Sequence, residues 1–543
     1  MAWTEQQNEA ITRRDCGLIV SAAAGSGKTS VLVERLLRIL MDDNPKHCVP
    51  ADQMIVVTFT KDAAAEMRSR LYQALDEQLQ QQPENQWLYQ QQIRLQNAHI
   101  STISSFCFEL IRDNVAEQGI TAGFRVLNET ENRLIASKAA DRVLNHWHAE
   151  HPEKMQFLWD CFCEKDDKPL ETLVMELHTF LGSVPFRDVW SEKVMEGLRQ
   201  PLERSEYHHL FLKQLEQQVQ TAVRLANEAA DLAACAYDSV ADNNLLPRVE
   251  LDAQCLEKVL HLLQAQESDA QKISSILQEK RQNCGQFPRK NKHTTDLEAF
   301  ERVKQLRKQY EAIEKKVLQI LELTYPYEAD DLAVNARLMP LLLELEAEFS
   351  AEIWKEKVCQ NALGFDDAER MALELLAELT PDGKIRPTAL AKELQDYYRL
   401  IMIDEYQDSN NKQDDIFKLL SRNCIVPETG ELRYGDNVFL VGDVKQSIYR
   451  FRLANPQNFV HAITDAGSAE SVCDHIVLNR NFRSVPAVLH FVNFICGSLM
   501  SAACGDVEYN EAESLRPGSA VTELLPPEQQ KVTVAVLSPE EDA

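Results

Sequence analysis

The run Ala22-Ala-Ala-Gly-Ser-Gly-Lys-Thr29 has the plainest chemical purpose in the chain. Gly25 and Gly27 let the backbone wrap tightly enough for successive N–H groups to face an anion, and a helix opening at Lys28 adds the partial positive charge of its N-terminus. In such a loop Lys28 reaches the β- and γ-phosphates of a nucleotide and Thr29 offers a hydroxyl to Mg²⁺. Ala22, Ala23, Ala24 and Ser26 complete the cradle, with Ala22 standing where the general pattern has Gly. A phosphate loop needs an acidic partner, and Ile401-Met-Ile-Asp-Glu405 supplies one. Asp404 is placed to hold Mg²⁺ through its water shell, and Glu405 to orient and deprotonate an attacking water. The continuation Tyr406-Gln-Asp-Ser409 makes a mere strand terminus a poor explanation.

These residues need a scaffold, and the flanking pattern predicts one. Leu18-Ile-Val-Ser-Ala22 reads as a buried strand running into the glycine turn, and Val31–Met41 repeats apolar residues at helical spacing. Met54-Ile-Val-Val-Thr-Phe-Thr60 is a second such strand before the helical stretch 63–75. Strand, turn, helix, strand, helix is the grammar of a parallel α/β sheet. From 116 to 355 strands vanish, and Leu, Ala, Glu and Gln recur at three- and four-residue spacing, predicting an all-helical insertion. Within it, 280–292 is the clearest basic patch, with Gly285 and Pro288 marking a loop that is either solvated or phosphate-contacting. The α/β texture returns over 356–470 with Leu400–Ile403 and Val438–Val441, and Ile476-Val-Leu478 opens a further segment, 471–543. Lys531-Val-Thr-Val-Ala-Val-Leu537 reads as one more strand.

Composition narrows the class without deciding it. With 44% apolar residues in 543, sizeable cores are available and global disorder is excluded. A net charge of −28 argues against wholesale nucleic-acid binding, although a local basic track suffices for a motor. The thirteen Cys show no C-x-x-C pair and read as reduced thiols. Met1-Ala-Trp-Thr-Glu-Gln-Gln7 is no signal peptide, and no apolar run approaches the roughly 20 residues of a membrane span. A soluble, cytoplasmic protein without membrane contact is the expectation.

Taken in order, the motifs become specific. Gln7-x-x-Ala10, Ala22–Thr29, Thr58-Phe-Thr-Lys-Asp-Ala-Ala-Ala-Glu-Met67, Asp404-Glu-Tyr-Gln-Asp408, Val441-Gly-Asp-Val-Lys-Gln-Ser-Ile-Tyr-Arg-Phe-Arg452 and Asn481-Phe-Arg-Ser484 together resemble the superfamily I helicases of the UvrD/RecB type. Trp3-Thr4, the string through Ala454 and the long insertion before Phe365-Asp-Asp367 make the chain most similar to AddA-type subunits of bacterial helicase–nucleases. In that family Ala at the first loop position is normal. The resemblance implies a RecA-like, P-loop motor domain from 1–115 and 356–470, a helical insertion over 116–355, and the beginning of a second RecA-like domain from 471.

It also implies roles. Gln7 would read the adenine edge of ATP and Phe482 stack on the base. Gln446 would touch the γ-phosphate and couple its presence to movement, and Arg483 would act as the arginine finger. Thr58, Phe59, Thr60 and Thr102 would face single-stranded DNA. Tyr449, Phe451 and Arg452 would join them, with rings stacking on bases and cations meeting phosphates. Ser104 departs from the family's usual His. The later motor motifs and the nuclease domain do not follow Ser484, so an N-terminal portion of a larger protein is expected. Duplex DNA ends and, in a heterodimer, an AddB-type protein are the implied partners. A stand-alone UvrD/Rep-like helicase is the nearest alternative. An inactive scaffold would have lost Lys28, Asp404, Glu405 or Arg483, and all four are present.

Overall fold

The computed structural model describes residues 3–518 apart from 115–118, 237–242, 266–269, 284–286, 291–293, 324–327, 381–382, 428, 469–470 and 503. The described residues form two compact units, one drawn from Met1–Met155, Phe162–Arg187 and Glu346–Ala543, the other from Gln156–Cys161 and Asp188–Leu345.

The first unit is built on a six-stranded, all-parallel sheet: β1 (Gly17–Ala22), β2 (Met54–Thr58), β3 (His99–Thr102), β4 (Leu400–Ile403), β5 (Val438–Gly442) and β6 (Cys473–Leu478), in the order β6-β1-β5-β4-β2-β3. β1, β2, β4 and β5 are buried throughout, which is why they read as unbroken apolar runs. Alternate side chains feed two cores. Leu18 and Val20 point to one with Leu32, Leu36 and Phe439, while Ile19 points to the other with Ile55, Val57, Phe106 and Ile401. α1 (Glu5–Thr12) precedes β1, α2 (Lys28–Leu40) follows it, and α3 (Lys61–Gln81) follows β2. Parallel pairing collects the C-terminal ends of β1, β4 and β5 at one edge, the usual ligand edge of such sheets.

Two expectations are corrected. β6, read as the opening of a further segment from 471, pairs with β1 from Gly17↔Cys473 to Ala22↔Leu478 and completes the first sheet. The insertion predicted over 116–355 is not one body. Residues 119–155 and 162–187 belong with the sheet unit, where helix Glu129–Glu150 buries Ile135, Ala139, Val143 and Trp147, and Arg125–Val126 pairs with Ala362–Leu363. β3, short and half-exposed, has no counterpart in the sequence reading.

The second unit is helical, including Glu206–Cys235, Leu246–Gln264, Ala270–Asn283 and Leu297–Leu323. Ala222, Ala226, Ala229 and Ala233 lie buried at helical spacing, a surface small enough for close approach by Val249, Leu256, Val303 and Leu306. Lys280, taken from sequence as part of an exposed basic patch, is instead buried. It pairs with Glu314 and lies 3.6 Å from Asp252, whose carboxylate also accepts from the Tyr310 hydroxyl at 2.7 Å. Gly285 and Lys292 of that patch, and the strand predicted at 531–537, lie outside the described residues.

Candidate nucleotide site and its neighbours

At the end of β1 the chain turns through Gly25 (φ +71°) and Gly27 (φ +81°) into α2, whose N-cap is Gly27 with no side-chain cap. The first N–H groups of α2 thus remain available to an anion. Ala22 and Ala23 are buried against the sheet, and the Ser26 hydroxyl is buried with no hydrogen-bond partner among the described residues. Lys28 and Thr29 follow, both partly exposed.

The acidic pair sits opposite. Lys28 Nζ donates to both carboxylate oxygens of Glu405, at 2.9 and 2.8 Å. Glu405 holds a left-handed backbone (φ +52°, ψ +44°), uncommon for a residue with a side chain. Burial, and then the charge of Glu405, pushes Asp404 up to about 6, and the same two causes push Asp408 up to about 6. Asp408 Oδ1 is buried without a partner among the described residues. Two raised carboxyls beside an uncapped glycine loop fit a divalent cation, which would restore their ionised form.

The segment after β6 closes the loop from the other side. Asn481 Nδ2 donates to the Ala24 carbonyl at 2.7 Å, and the Phe482 N–H donates to the Gly25 carbonyl at 2.9 Å. Asn481 Oδ1 accepts the N–H groups of Arg483 (2.9 Å) and Ser484 (2.7 Å). Gly25 is obligatory here, because a Cβ would stand 2.6 Å from Asn481 Nδ2 and 2.9 Å from Arg483 Cβ. Arg483 is exposed at the rim, and Phe482 lines a narrow cleft with Thr4, Gln6, Gln7 and Arg480. Gln7 is engaged within the protein: Nε2 donates to the Ser26 carbonyl at 2.9 Å and Oε1 accepts the Thr4 N–H in a capping box. α1 is held in turn by Arg35, whose NH1 donates to the carbonyls of Ala10 and Arg13 while its guanidinium lies over Phe439. Gln446 occupies the turn after β5 and donates to Asp443 Oδ2 at 2.7 Å.

The residues expected to face DNA divide. Phe59 and Tyr449 stack with centroids 4.8 Å apart, Tyr449 and Phe451 lie 5.9 Å apart, and Arg452 lies over both Tyr449 and Phe451. Phe451 is 76% exposed, so this ladder is an open surface. Thr60 is exposed and caps α3, and Thr102 caps helix Ile103–Asp113 while lining a groove of about 550 Å³ with Lys61, Tyr72 and Ser105. Thr58 is a correction. It is buried, and its hydroxyl donates to the Thr60 carbonyl, so it shapes the turn rather than meeting a ligand. Sequence reading also passed over Asn481, Gln407, Asp408 and Arg35 as individual residues, although the first three stand inside quoted motifs.

The chain matches the UvrD/REP helicase N-terminal domain over residues 3–467 and belongs to that family. Among curated relatives, the A-type subunit of the ATP-dependent helicase/nuclease of Acetivibrio thermocellus is 34% identical over 96% of this chain and 41% of its own length. Its counterparts in Clostridium botulinum (32%) and Pelotomaculum thermopropionicum (34%) each match 95% of this chain and 41% and 40% of their own lengths. The chain thus spans about two fifths of the relatives it matches. No described helix is long and apolar enough to cross a membrane.

Proposed function

We propose that this chain carries the ATP-hydrolysing part of a DNA helicase subunit that, with an AddB-type partner, processes double-strand ends for recombinational repair in the bacterial cytoplasm. The observation that carries it is the junction of three elements on one loop: Lys28 bound to Glu405, and the Asn481–Arg483 segment clamped to Ala24 and Gly25. On this reading Lys28 exchanges Glu405 for phosphate oxygens, which frees the Glu405 carboxylate to hold and deprotonate a water. Thr29 and Asp404 would hold Mg²⁺, which supplies charge neutralisation on the phosphates. Arg483, exposed at the rim, meets the charge that develops on the transferred group. Gln7 and Phe482 flank the base, which requires Gln7 to release one of its two internal bonds. The Phe59–Tyr449–Phe451–Arg452 ladder supplies ring faces and a cation for single-stranded DNA. From residue 479 onward the chain would begin the second motor domain.

The test is steady-state ATP hydrolysis with and without single-stranded DNA, beside Lys28→Ala. Hydrolysis that rises with DNA and disappears in the variant supports the reading. Hydrolysis unchanged by Lys28→Ala, or DNA-independent throughout, contradicts it.

A further inference from the structure

Gln407 takes no part in the chemistry described above, yet it is 1% exposed in the middle of the site. It lies in the turn Tyr406–Asp408, just past β4. Its Nε2 donates to Glu405 Oε2 at 3.0 Å and to Asp408 Oδ2 at 3.3 Å. Its Oε1 accepts the N–H of Asp443 at 2.9 Å, the first residue beyond β5. These hydrogen bonds run between the acidic cluster and the neighbouring strand end. The approach is close enough to require glycine at 442, where a Cβ would stand 2.6 Å from Gln407 Oε1.

Asp443 in turn organises the turn Val444–Gln446. Its carboxylate accepts the Lys445 N–H at 3.2 Å and Gln446 Nε2 at 2.7 Å, and pairs with Lys445 Nζ at 2.9 Å. A continuous series of hydrogen bonds thus joins Lys28 to Glu405, Glu405 to Gln407, Gln407 to the Asp443 backbone, and Asp443 to Gln446. An amide suits the central place because it donates at one end and accepts at the other (a carboxylate or a hydrocarbon of the same size does only one or neither). Glu405 Oε2 accepts from both Lys28 and Gln407, so when Lys28 turns to phosphate the carboxylate retains one fixed donor.

We infer that Gln407 is a positioning residue that links the aim of the Glu405 carboxylate to the position of the Asp443–Gln446 turn. Displacement of that turn moves the Asp443 N–H, rotates the amide and re-aims Glu405. The aromatic ladder begins at Tyr449, three residues past Gln446. An event on the exposed face therefore reaches the water-activating group through this amide. The inference rests on the reading of Glu405 as the base.

The experiment uses the full-length protein with Gln407→Met, Gln407→Glu and, independently, Gly442→Ala, which displaces the amide while leaving Gln407 in place. kcat and KM for ATP are measured with and without saturating single-stranded DNA, and nucleotide affinity with a fluorescent ATP analogue. A hydrogen bond to a charged group contributes about 1.5–3 kcal/mol, so kcat with DNA should fall by roughly 10- to 100-fold while KM and affinity stay within about threefold. The ratio of DNA-stimulated to basal turnover should fall towards one in all three variants. Gln407→Glu keeps the size and the Asp443 acceptor, so it serves where Gln407→Met folds poorly. Loss of kcat with the stimulation ratio intact overturns the link, as does unchanged kcat. Loss of nucleotide affinity in step with kcat also overturns it, showing a structural prop. A Glu405→Gln control that hydrolyses normally would remove the underlying reading instead, whatever Gln407 does.

Discussion

Asn481→Ala is the perturbation whose size follows most directly from the structure. The side chain is 3% exposed and makes three hydrogen bonds, one to the Ala24 carbonyl and two that fold the backbone at Arg483 and Ser484 back on itself. At about 1 kcal/mol net for each, the segment loses about 3 kcal/mol of docking energy, or roughly 100-fold in its docked-to-undocked ratio. Phe482 and Arg483 both ride on this segment, so kcat/KM for ATP should fall by about 100-fold, read by steady-state hydrolysis at limiting ATP. Gly25→Ala attacks the same junction from the loop side. Its left-handed backbone costs a side-chain residue about 1–2 kcal/mol, before the overlap with Asn481 and Arg483 is counted. Because each variant undocks the same segment, the double variant should lose little beyond the worse single one, a strongly non-additive cycle. Asn481→Ala within about threefold of the parent, or simple additivity with Gly25→Ala, would refute the clamp.

Other consequences reach beyond this junction. Phe451→Ala and Tyr449→Ala should each weaken single-stranded DNA binding by about 1–3 kcal/mol, read by fluorescence anisotropy, with ATP affinity unchanged. In the helical unit, Lys280→Met leaves Glu314 buried without its partner and should cost about 3 kcal/mol of stability in denaturant titration. Adding Glu314→Leu should recover most of that loss. Asp415, on the helix Asn411–Leu420, is pushed up to about 7 by burial and then by the charge of Asp414. Its folded pKa exceeds its unfolded value, so the folded state favours the proton, and this group's contribution to stability declines as pH rises towards 7. Asp415→Asn should therefore stabilise the protein by on the order of 2 kcal/mol at pH 8, with the gain vanishing near pH 4.

How far the sequence spoke depended on how locally each role is determined. The glycine turn into the helix at Lys28 and the strand ending at Asp404-Glu405 were legible because residue type and spacing fix them within a few positions. The buried strands were legible because both faces are covered, which leaves long apolar runs. Ile476-Val-Leu478 was read only as the opening of a further segment, since nothing within Cys473–Leu478 says that it will pair with the strand Gly17–Ala22. Lys280 looked like a surface cation because its partner Glu314 lies 34 residues away on another helix. Thr58 ends a buried strand, and no composition signal tells whether such a hydroxyl faces outward or back to its own turn. Asn481 and Gln407 stood in plain view inside motifs, yet what they do depends on carbonyls and N–H groups 457 and 36 residues away. Roles of that kind become visible only once the strands are side by side.

The measurement closest to the central claim compares Glu405→Gln with the parent chain for binding of a fluorescent ATP analogue in Mg²⁺ and for hydrolysis. The substitution removes the proposed base and the counter-charge of Lys28 while keeping the shape. If Glu405 is the base, the variant binds nucleotide at least as tightly as the parent and hydrolyses it about 100-fold or more slowly. Hydrolysis near the parental rate, or loss of nucleotide binding in a folded variant, would contradict it.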